Sequence, residues 1–586
     1  MKHTELKHWR FTMDQTLYGE GAGWANRDYD DSCWSDVESY TCWETYEYAL
    51  EDYEASGWFR TKYTPSETGS RQILHFNGVG GVAKVFINGK YVGGTENRYL
   101  PFTIDITNSV DFGKENVIAV LVDNSFRGPE HLPGGPIVEW VLYGGLTHRV
   151  WVEERPQLML EHVYAAASAD GSLKTTIKVK NYRDKAVAGT LEIAVTGLAC
   201  GASQEVTVAA GETAEFIFET VDASAKLWSP EEPNLYDFSA MLTADGETDV
   251  YSCRIGFRTF SIEGTRIFLN GKEIYFNGAN RYDEYAPYGI CPPPEKIRED
   301  LLTMKSMGMN LVRTHYPQDP VHYEIADEIG IMYMIEVPVN WWAPREQSLD
   351  AYPAFRDEAV DAMRETFRFF CNHPCWAIWS TGNEMNHNHP AINGLFRVLA
   401  QGMRELDCRR IITYALNNSA VLTPTELDFC DVISINNYAG SLSECVDDFP
   451  IMVDPSIDAR MNEVLAQYPN IPHLMTEFGI CTIYGVHGDP FEGRYHEEFG
   501  AAYMERACRA YMRNPNLRGL VIWSWADYRH RRGFTPDNNG SSGMHFSATY
   551  GPYGIVTMDR KIKKPMAEAI TRLYSEFTPE KREGTK

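Results

Sequence analysis

Short runs in which apolar and polar residues alternate fill the first 157 positions. Residues 72–76, 83–87 and 117–122 are such runs, and Asn88-Gly89 and Gly93-Gly94 mark turns between them. A period of two broken by frequent turns predicts antiparallel strands. The density of Trp and Tyr fits a jelly roll or sandwich over residues 1–157. Residues 158–256 keep the same alternation, with strands predicted over 175–180, 190–195, 214–220 and 236–242. That length and pattern fit an immunoglobulin-like sandwich. From 257 the pattern changes. Apolar runs of strand length fall at 273–282, 310–315, 331–337, 377–384, 410–416, 431–438, 473–479 and 519–526. Stretches of helical period lie between them, among others 294–307, 354–371 and 497–512. Eight strand-then-helix units over 257–586 predict a (β/α)8 barrel.

Composition narrows the classes. The 586 residues are 44% apolar and 23% charged, an ordinary globular balance that excludes collagen, coiled coil and wholesale disorder. No apolar run approaches the ~18 residues of a membrane span. The net charge of −27 (54 basic against 81 acidic residues) repels phosphate backbones, so neither nucleic acid nor membrane is expected as a partner. The start of the chain has no apolar run of the signal-peptide kind, and the twelve cysteines are scattered; together these features point to a reducing cytoplasm and to no disulfides. Cys371-Asn-His373-Pro-Cys375 has the look of a metal site but lacks a second ligand pair, so no metal and no cofactor are expected. The polar tail, 578–586, reads as disordered.

Barrel enzymes carry their chemistry at the C-terminal ends of the strands. The fourth predicted strand ends in Trp379-Ser-Thr-Gly-Asn383-Glu384, and the seventh in Met475-Thr-Glu477-Phe-Gly479. Two carboxylates at the open end of one barrel are the equipment of glycoside hydrolysis, one a protonated acid and the other an ionised nucleophile.

These residues resemble glycoside hydrolase family 2, which includes β-glucuronidases, β-galactosidases and β-mannosidases. In the first domain the resemblance is carried by the run from Phe76 to Gly93, by Pro101-Phe102 and by Tyr143-Gly-Gly145. In the second it is carried by Trp228-Ser-Pro230 and Gly256-Phe-Arg258. In the barrel it is carried by Asn277-Gly-Ala-Asn280-Arg281, Arg313-Thr-His315-Tyr-Pro317, Asn372-His373-Pro374, Asn383-Glu384 and Thr476-Glu477-Phe-Gly479. It implies a retaining exo-acting glycosidase that takes a glycoside or oligosaccharide and forms a homo-oligomer. It further implies Glu384 as acid/base, Glu477 as nucleophile and Asn383 on the sugar 2-hydroxyl. It also implies Tyr438 beside the nucleophile, Trp523 as the platform under the sugar and His315 as a pocket residue.

Departures from the family bear on the substrate. Tyr282 stands where many relatives have His, and Glu139 where the first domain usually sends an Asp into the site. Asn340 and Trp342 stand where the large galactosidases bind Mg²⁺. The Asn-x-Lys grip of glucuronidases is missing; Gly551-Pro-Tyr553 occupies that segment. Basic residues gather elsewhere, at Arg529-His530-Arg531-Arg532 after the eighth strand and at Arg345 after the third. Arginine presents a planar fork suited to a carboxylate. The leading expectation is therefore a β-hexuronide, galacturonide before glucuronide. The alternatives are a β-galactosidase or other neutral glycosidase with structural arginines, and more remotely a non-catalytic carbohydrate-binding protein.

Overall fold

The protein is described by a computed structural model covering residues 2–66, 69–128, 131–134, 138–340, 353–417, 423–439, 449–490, 495–531 and 550–583. Two compact units form. One comprises Met1–Phe126, Leu142–Arg258 and Glu365–Pro374; the other comprises Arg127–Val141, Thr259–Arg364 and Cys375–Lys586.

The first unit holds two all-β layers pairs. A six-stranded antiparallel sheet runs in the order Ser35–Glu38, His8–Asp14, Ser56–Tyr63, Asn116–Asp123, Val82–Ile87, Lys90–Thr95. It encloses a core rich in aromatics (Trp9, Phe11, Trp43, Phe59) with the four-stranded sheet Lys2–Glu5, Val150–Arg155, Arg71–Phe76, Phe102–Asp105. This is the jelly roll, and its predicted strands lie within the observed ones. The second sandwich pairs a three-stranded sheet (Leu158–Ala167, Ser172–Asn181, Thr213–Val221) with a four-stranded one (Ala202–Val208, Val187–Val195, Tyr236–Ala244, Glu247–Ile255). Alternation does the folding here. In Ser172–Asn181, Leu173, Ile177 and Val179 face inward while Lys174 and Lys178 face water.

The second unit is built on a closed barrel of eight parallel strands: Phe276–Asn280, Leu311–Thr314, Met332–Glu336, Trp376–Asn383, Ile411–Leu416, Ile433–Asn436, His473–Glu477 and Leu517–Ile522. The first and eighth strands close it, Phe276 opposite Gly519 and Ala279 opposite Ile522. These strands are buried along their length, the fourth at all its positions, which is why they read as unbroken apolar runs rather than as alternation. Helices Pro294–Ser306, Pro353–Phe370 and Glu497–Tyr511 fall where periodicity places them. Helix Pro320–Ile329 shows the local rules: the Asp319 side chain accepts the Val321 N–H (3.0 Å) at its start, and Gly330 at φ 79° ends it. Tyr574, on the helix Pro565–Glu576, donates to the carbonyls of Gly278 (2.7 Å) and Leu520 (2.8 Å), tying the closing strand pair together.

Two expectations change. The strands stop short of the apolar runs: Ile433–Asn436 replaces 431–438, and 273–282 divides into Lys272–Glu273 and Phe276–Asn280. Tyr282, Tyr438 and Trp523 therefore stand just beyond the ends of their strands. The tail is also ordered further than its polarity predicts. Pro579–Glu583 forms a short helix, and Arg582 donates to the carbonyls of Leu517 (2.6 Å), Met512 (3.3 Å) and Asn514. Hydrogen bonds to carbonyls and the Arg582 guanidinium over the Tyr275 and Phe577 rings hold this segment. No described helix is long and apolar enough to cross a membrane.

Candidate active site

Glu477 is the last residue of the seventh strand, and Glu384 follows the last residue of the fourth. Glu384 adopts φ 50°, a left-handed conformation uncommon for a non-glycine residue, which turns its side chain out of the strand direction. The Arg313 guanidinium, fully buried on the second strand, joins the parts. Its Nη1 donates to Glu477 Oε1 (2.6 Å) and Asn280 Oδ1 (2.8 Å). Its Nη2 donates to Asn383 Oδ1 (2.8 Å) and Glu336 Oε2 (3.0 Å). The Tyr438 hydroxyl donates to the other Glu477 oxygen (2.8 Å). His315 Nδ1 lies 3.0 Å from Glu336, and its Nε2 lies 3.7 Å from Glu477.

Asn383 is fixed to the same degree. Its carbonyl oxygen faces two donors, Arg313 and Asn436 (2.9 Å), so the amide has one orientation. One N–H goes to Asn340 Oδ1 (2.7 Å), and among the described residues the second has no hydrogen-bond partner. Glu384 receives an amide on each oxygen: Asn436 on Oε1 (2.8 Å) and Asn417 on Oε2 (3.0 Å).

Glu384 and Glu336, two buried carboxyl groups of this network, differ in character. Burial, and then the charge of Glu477, push Glu384 up to about 8; the Asn436 and Asn417 amides and Arg313 oppose the rise without cancelling it. Glu384 is therefore mainly protonated at neutral pH. Glu336 goes the other way: burial alone would raise it, but Arg313, His315 and Ser380 hold it below the usual carboxylate range. Tyr438 is driven well above 10 by burial and then by the Glu477 and Glu384 carboxyl groups, so it stays a donor.

An aromatic wall stands beside this core. Trp523 Nε1 donates to the Tyr528 hydroxyl (2.9 Å), which donates to Glu139 Oε1 (2.6 Å). Tyr282 reaches the other Glu139 oxygen at 3.4 Å, and His530 lies 3.2 Å from Oε1. Trp140 stacks on His315 at 5.7 Å, and Tyr282 packs edge-on to Trp523 at 5.5 Å. Glu139 and Trp140 belong to the segment Arg127–Val141, which is part of the barrel unit. Of the basic residues, Arg529 directs its backbone N–H to Glu284 (2.6 Å), with its guanidinium 4.0 Å from the same carboxylate. Arg531 donates its backbone N–H to the Glu139 carbonyl (2.7 Å). Arg345, Arg532 and Trp342 lie outside the described residues.

The structure thus groups Glu384, Glu477, Asn383, Tyr438 and His315 in one bonded network, and Glu139, Tyr282 and Trp523 in an adjoining one. Sequence reasoning assigned no role to Arg313, Glu336, Asn417, Asn436 or Tyr528. A charged residue inside an apolar run, as at Arg313 and Glu336, is the signal that could have found two of them. At the Cys371–Cys375 stretch, the Cys375 N–H donates to Asp327 (2.9 Å) and its thiol to the Tyr323 carbonyl (3.6 Å), contacts that fix the backbone leading into the fourth strand.

Comparison with known proteins agrees with this architecture. The family model described as "Glycosyl hydrolases family 2, TIM barrel domain" matches residues 260–577, more than half of the chain. "Glycosyl hydrolases family 2" matches 160–258, and "Glycosyl hydrolase 2 galactose-binding domain-like" matches 35–133. A β-glucuronidase of Paenibacillus borealis is 25% identical over 573 residues, 92% of each chain. A β-galactosidase of Thermoanaerobacter pseudethanolicus is 31% identical over 353 residues, 58% of this chain. That match spans 46% of the galactosidase, and a match of the same identity to a Formosa agariphila protein spans 40% of it, so this chain covers less than half of these relatives. Among solved structures, a β-galacturonidase of Eisenbergiella tayi bound to galacturonate has the same fold. Its TM-score is 0.85 at 24% identity, covering 98% of this chain and 97% of that one.

Proposed function

Because the chain belongs to glycoside hydrolase family 2, we propose that it is a retaining exo-β-glycosidase in which Glu384 is the acid/base and Glu477 the nucleophile. The observation that carries this reading is the asymmetry of the two carboxyls: Glu384 is pushed up to about 8, while Glu477 is gripped by Arg313 and Tyr438. A retaining pair stands about 5–5.5 Å apart.

In the first step a Glu477 oxygen bonds to the anomeric carbon, the glycosidic C–O bond breaks, and the Glu384 proton passes to the leaving oxygen. Once the ester has formed, Glu477 carries no charge. The Coulombic pressure on Glu384 falls, and it can hold its own negative charge. In the second step Glu384 takes a proton from water, the water oxygen bonds to the anomeric carbon, and Glu477 leaves as carboxylate. The spare N–H of Asn383 meets the sugar 2-hydroxyl, and Trp523 supports the ring.

The substrate we favour is a terminal β-hexuronide, galacturonide ahead of glucuronide. Its support is the basic run at 529–532 in a chain of net charge −27 that lacks the Asn-x-Lys grip. A neutral β-galactoside is the second reading. It is favoured by Arg529 being engaged with Glu284 and by the carboxylate of Glu139 on the pocket wall. Matched p-nitrophenyl β-D-galacturonide and β-D-galactoside differ only at C6 and separate the two. The uronide reading expects kcat/KM higher by about a hundredfold on the acid, roughly 2.7 kcal/mol of transition-state binding. Preference for the galactoside would overturn it.

A further inference from the structure

We propose that Asn417, one residue past the fifth barrel strand, is a positioning residue that aims the hydroxyl of the Glu384 carboxyl at the leaving-group oxygen. The inference rests on the glycosidase reading and adds a residue to it.

A protonated carboxyl has one carbonyl oxygen and one hydroxyl oxygen, and only the second delivers the proton. Glu384 holds its two oxygens in different settings. Oε1 faces Asn436, which cannot turn away: its carbonyl oxygen accepts the Thr476 hydroxyl (2.8 Å), and its N–H groups go to Asn383 Oδ1 (2.9 Å) and Glu384 Oε1 (2.8 Å). A fixed donor at that distance assigns the carbonyl role to Oε1, the better acceptor of the two. Oε2 is left as the hydroxyl oxygen. It meets the Asn417 amide at 3.0 Å, a contact that uses one lone pair and leaves the O–H free to point away. Two amides on opposite oxygens also stop rotation of the carboxyl plane, a torsion that is otherwise broad. The backbone of Asn417 is held as well, its carbonyl accepting from Arg460 (3.2 Å). The same Oε2 would take the proton from water in the second step.

The consequence is specific to proton delivery. General acid catalysis contributes about 10²–10⁴-fold where the leaving group needs a proton, and little where it does not. Asn417→Ala should therefore lower kcat/KM on the phenyl glycoside by about tenfold or more, and on the 2,4-dinitrophenyl glycoside of the same sugar by about twofold or less. The sugar is whichever the wild type hydrolyses fastest. Asn417→Asp keeps the shape, removes the donor and brings a negative charge to Oε2. Its alkaline limb of kcat/KM on the phenyl glycoside should move up by about one pH unit. The titratable and charged groups already facing Glu384 are Glu477, Arg313, Tyr414 and Tyr438. Equal losses on the two glycosides with an unmoved limb would assign Asn417 a structural role and overturn the proposal. A wild type that cleaves neither glycoside of any hexose or hexuronide would overturn the glycosidase reading instead.

Discussion

At the scale of single residues, the site depends on the buried Arg313 guanidinium and on two carboxyls with unlike surroundings, Glu384 and Glu477. Arg313 bonds Glu477 and Glu336 together, so its charge is divided between two carboxyl groups and offsets little of the burial of a third nearby. Glu384 is that third group, pushed up to about 8 by burial and by Glu477. A group that must be protonated to act loses activity as pH rises through its pKa. The alkaline limb of kcat/KM on a phenyl glycoside is therefore expected near pH 8, and Glu384→Gln should remove that limb while sparing the 2,4-dinitrophenyl glycoside. A limb unchanged in Glu384→Gln would assign the proton to another residue. Much of this arrangement was legible in the sequence, because Asn383-Glu384 and Thr476-Glu477 each close an apolar run. What was not legible was the wiring. Arg313 lies 164 positions from Glu477, and nothing in their spacing says that they touch. Glu139 and Tyr528 are 389 positions apart and share a 2.6 Å hydrogen bond.

At the scale of elements, position is set by strands that end early and by a segment that is clamped. Apolar runs located all eight barrel strands but overstated the length of seven of them, since burial at the mouth looks the same in one-letter code as burial in a ladder. The tail was misread for the opposite reason: a polar helix held by Arg582 carries no apolar signature. The segment Arg127–Val141 brings Glu139 and Trp140 to the aromatic wall. One carboxylate, Glu358 on the helix Pro353–Phe370, holds its start: it takes the Leu132 N–H (2.9 Å) and pairs with His131, while Arg127 lies 3.6 Å away. At the other end Arg531 donates to the Glu139 carbonyl (2.7 Å), and beside Leu132 the Asn340 N–H donates to Pro133 (2.9 Å). Removing the clamp with Glu358→Ala should loosen the wall without touching the carboxyl pair. KM is expected to rise about tenfold, the loss of one or two such bonds, with kcat changed less than about twofold. Steady-state kinetics check this; an unmoved KM would mean that Glu358 has no part in presenting the wall.

At the scale of the whole molecule, a chain of net charge −27 has few cationic groups to spare, and three of them in sequence, Arg529, His530 and Arg531, follow the eighth barrel strand. The fold was readable at this scale because each domain has its own periodicity: alternation in two sandwiches, buried runs in the barrel. The choice of sugar is decided by side chains on loops, which no periodicity describes. The central claim is that Glu477 attacks the anomeric carbon. It is tested most directly by incubating the protein with galacto-configured cyclitol aziridines, one bearing a C6 carboxylate and one neutral, followed by peptide mass mapping. The account predicts a single covalent label on Glu477 from at least one of them, and no label with Glu477→Gln, whose circular dichroism and thermal midpoint should match the wild type. A label on any other residue, or none from a reagent configured for the sugar that the protein hydrolyses fastest, would contradict it.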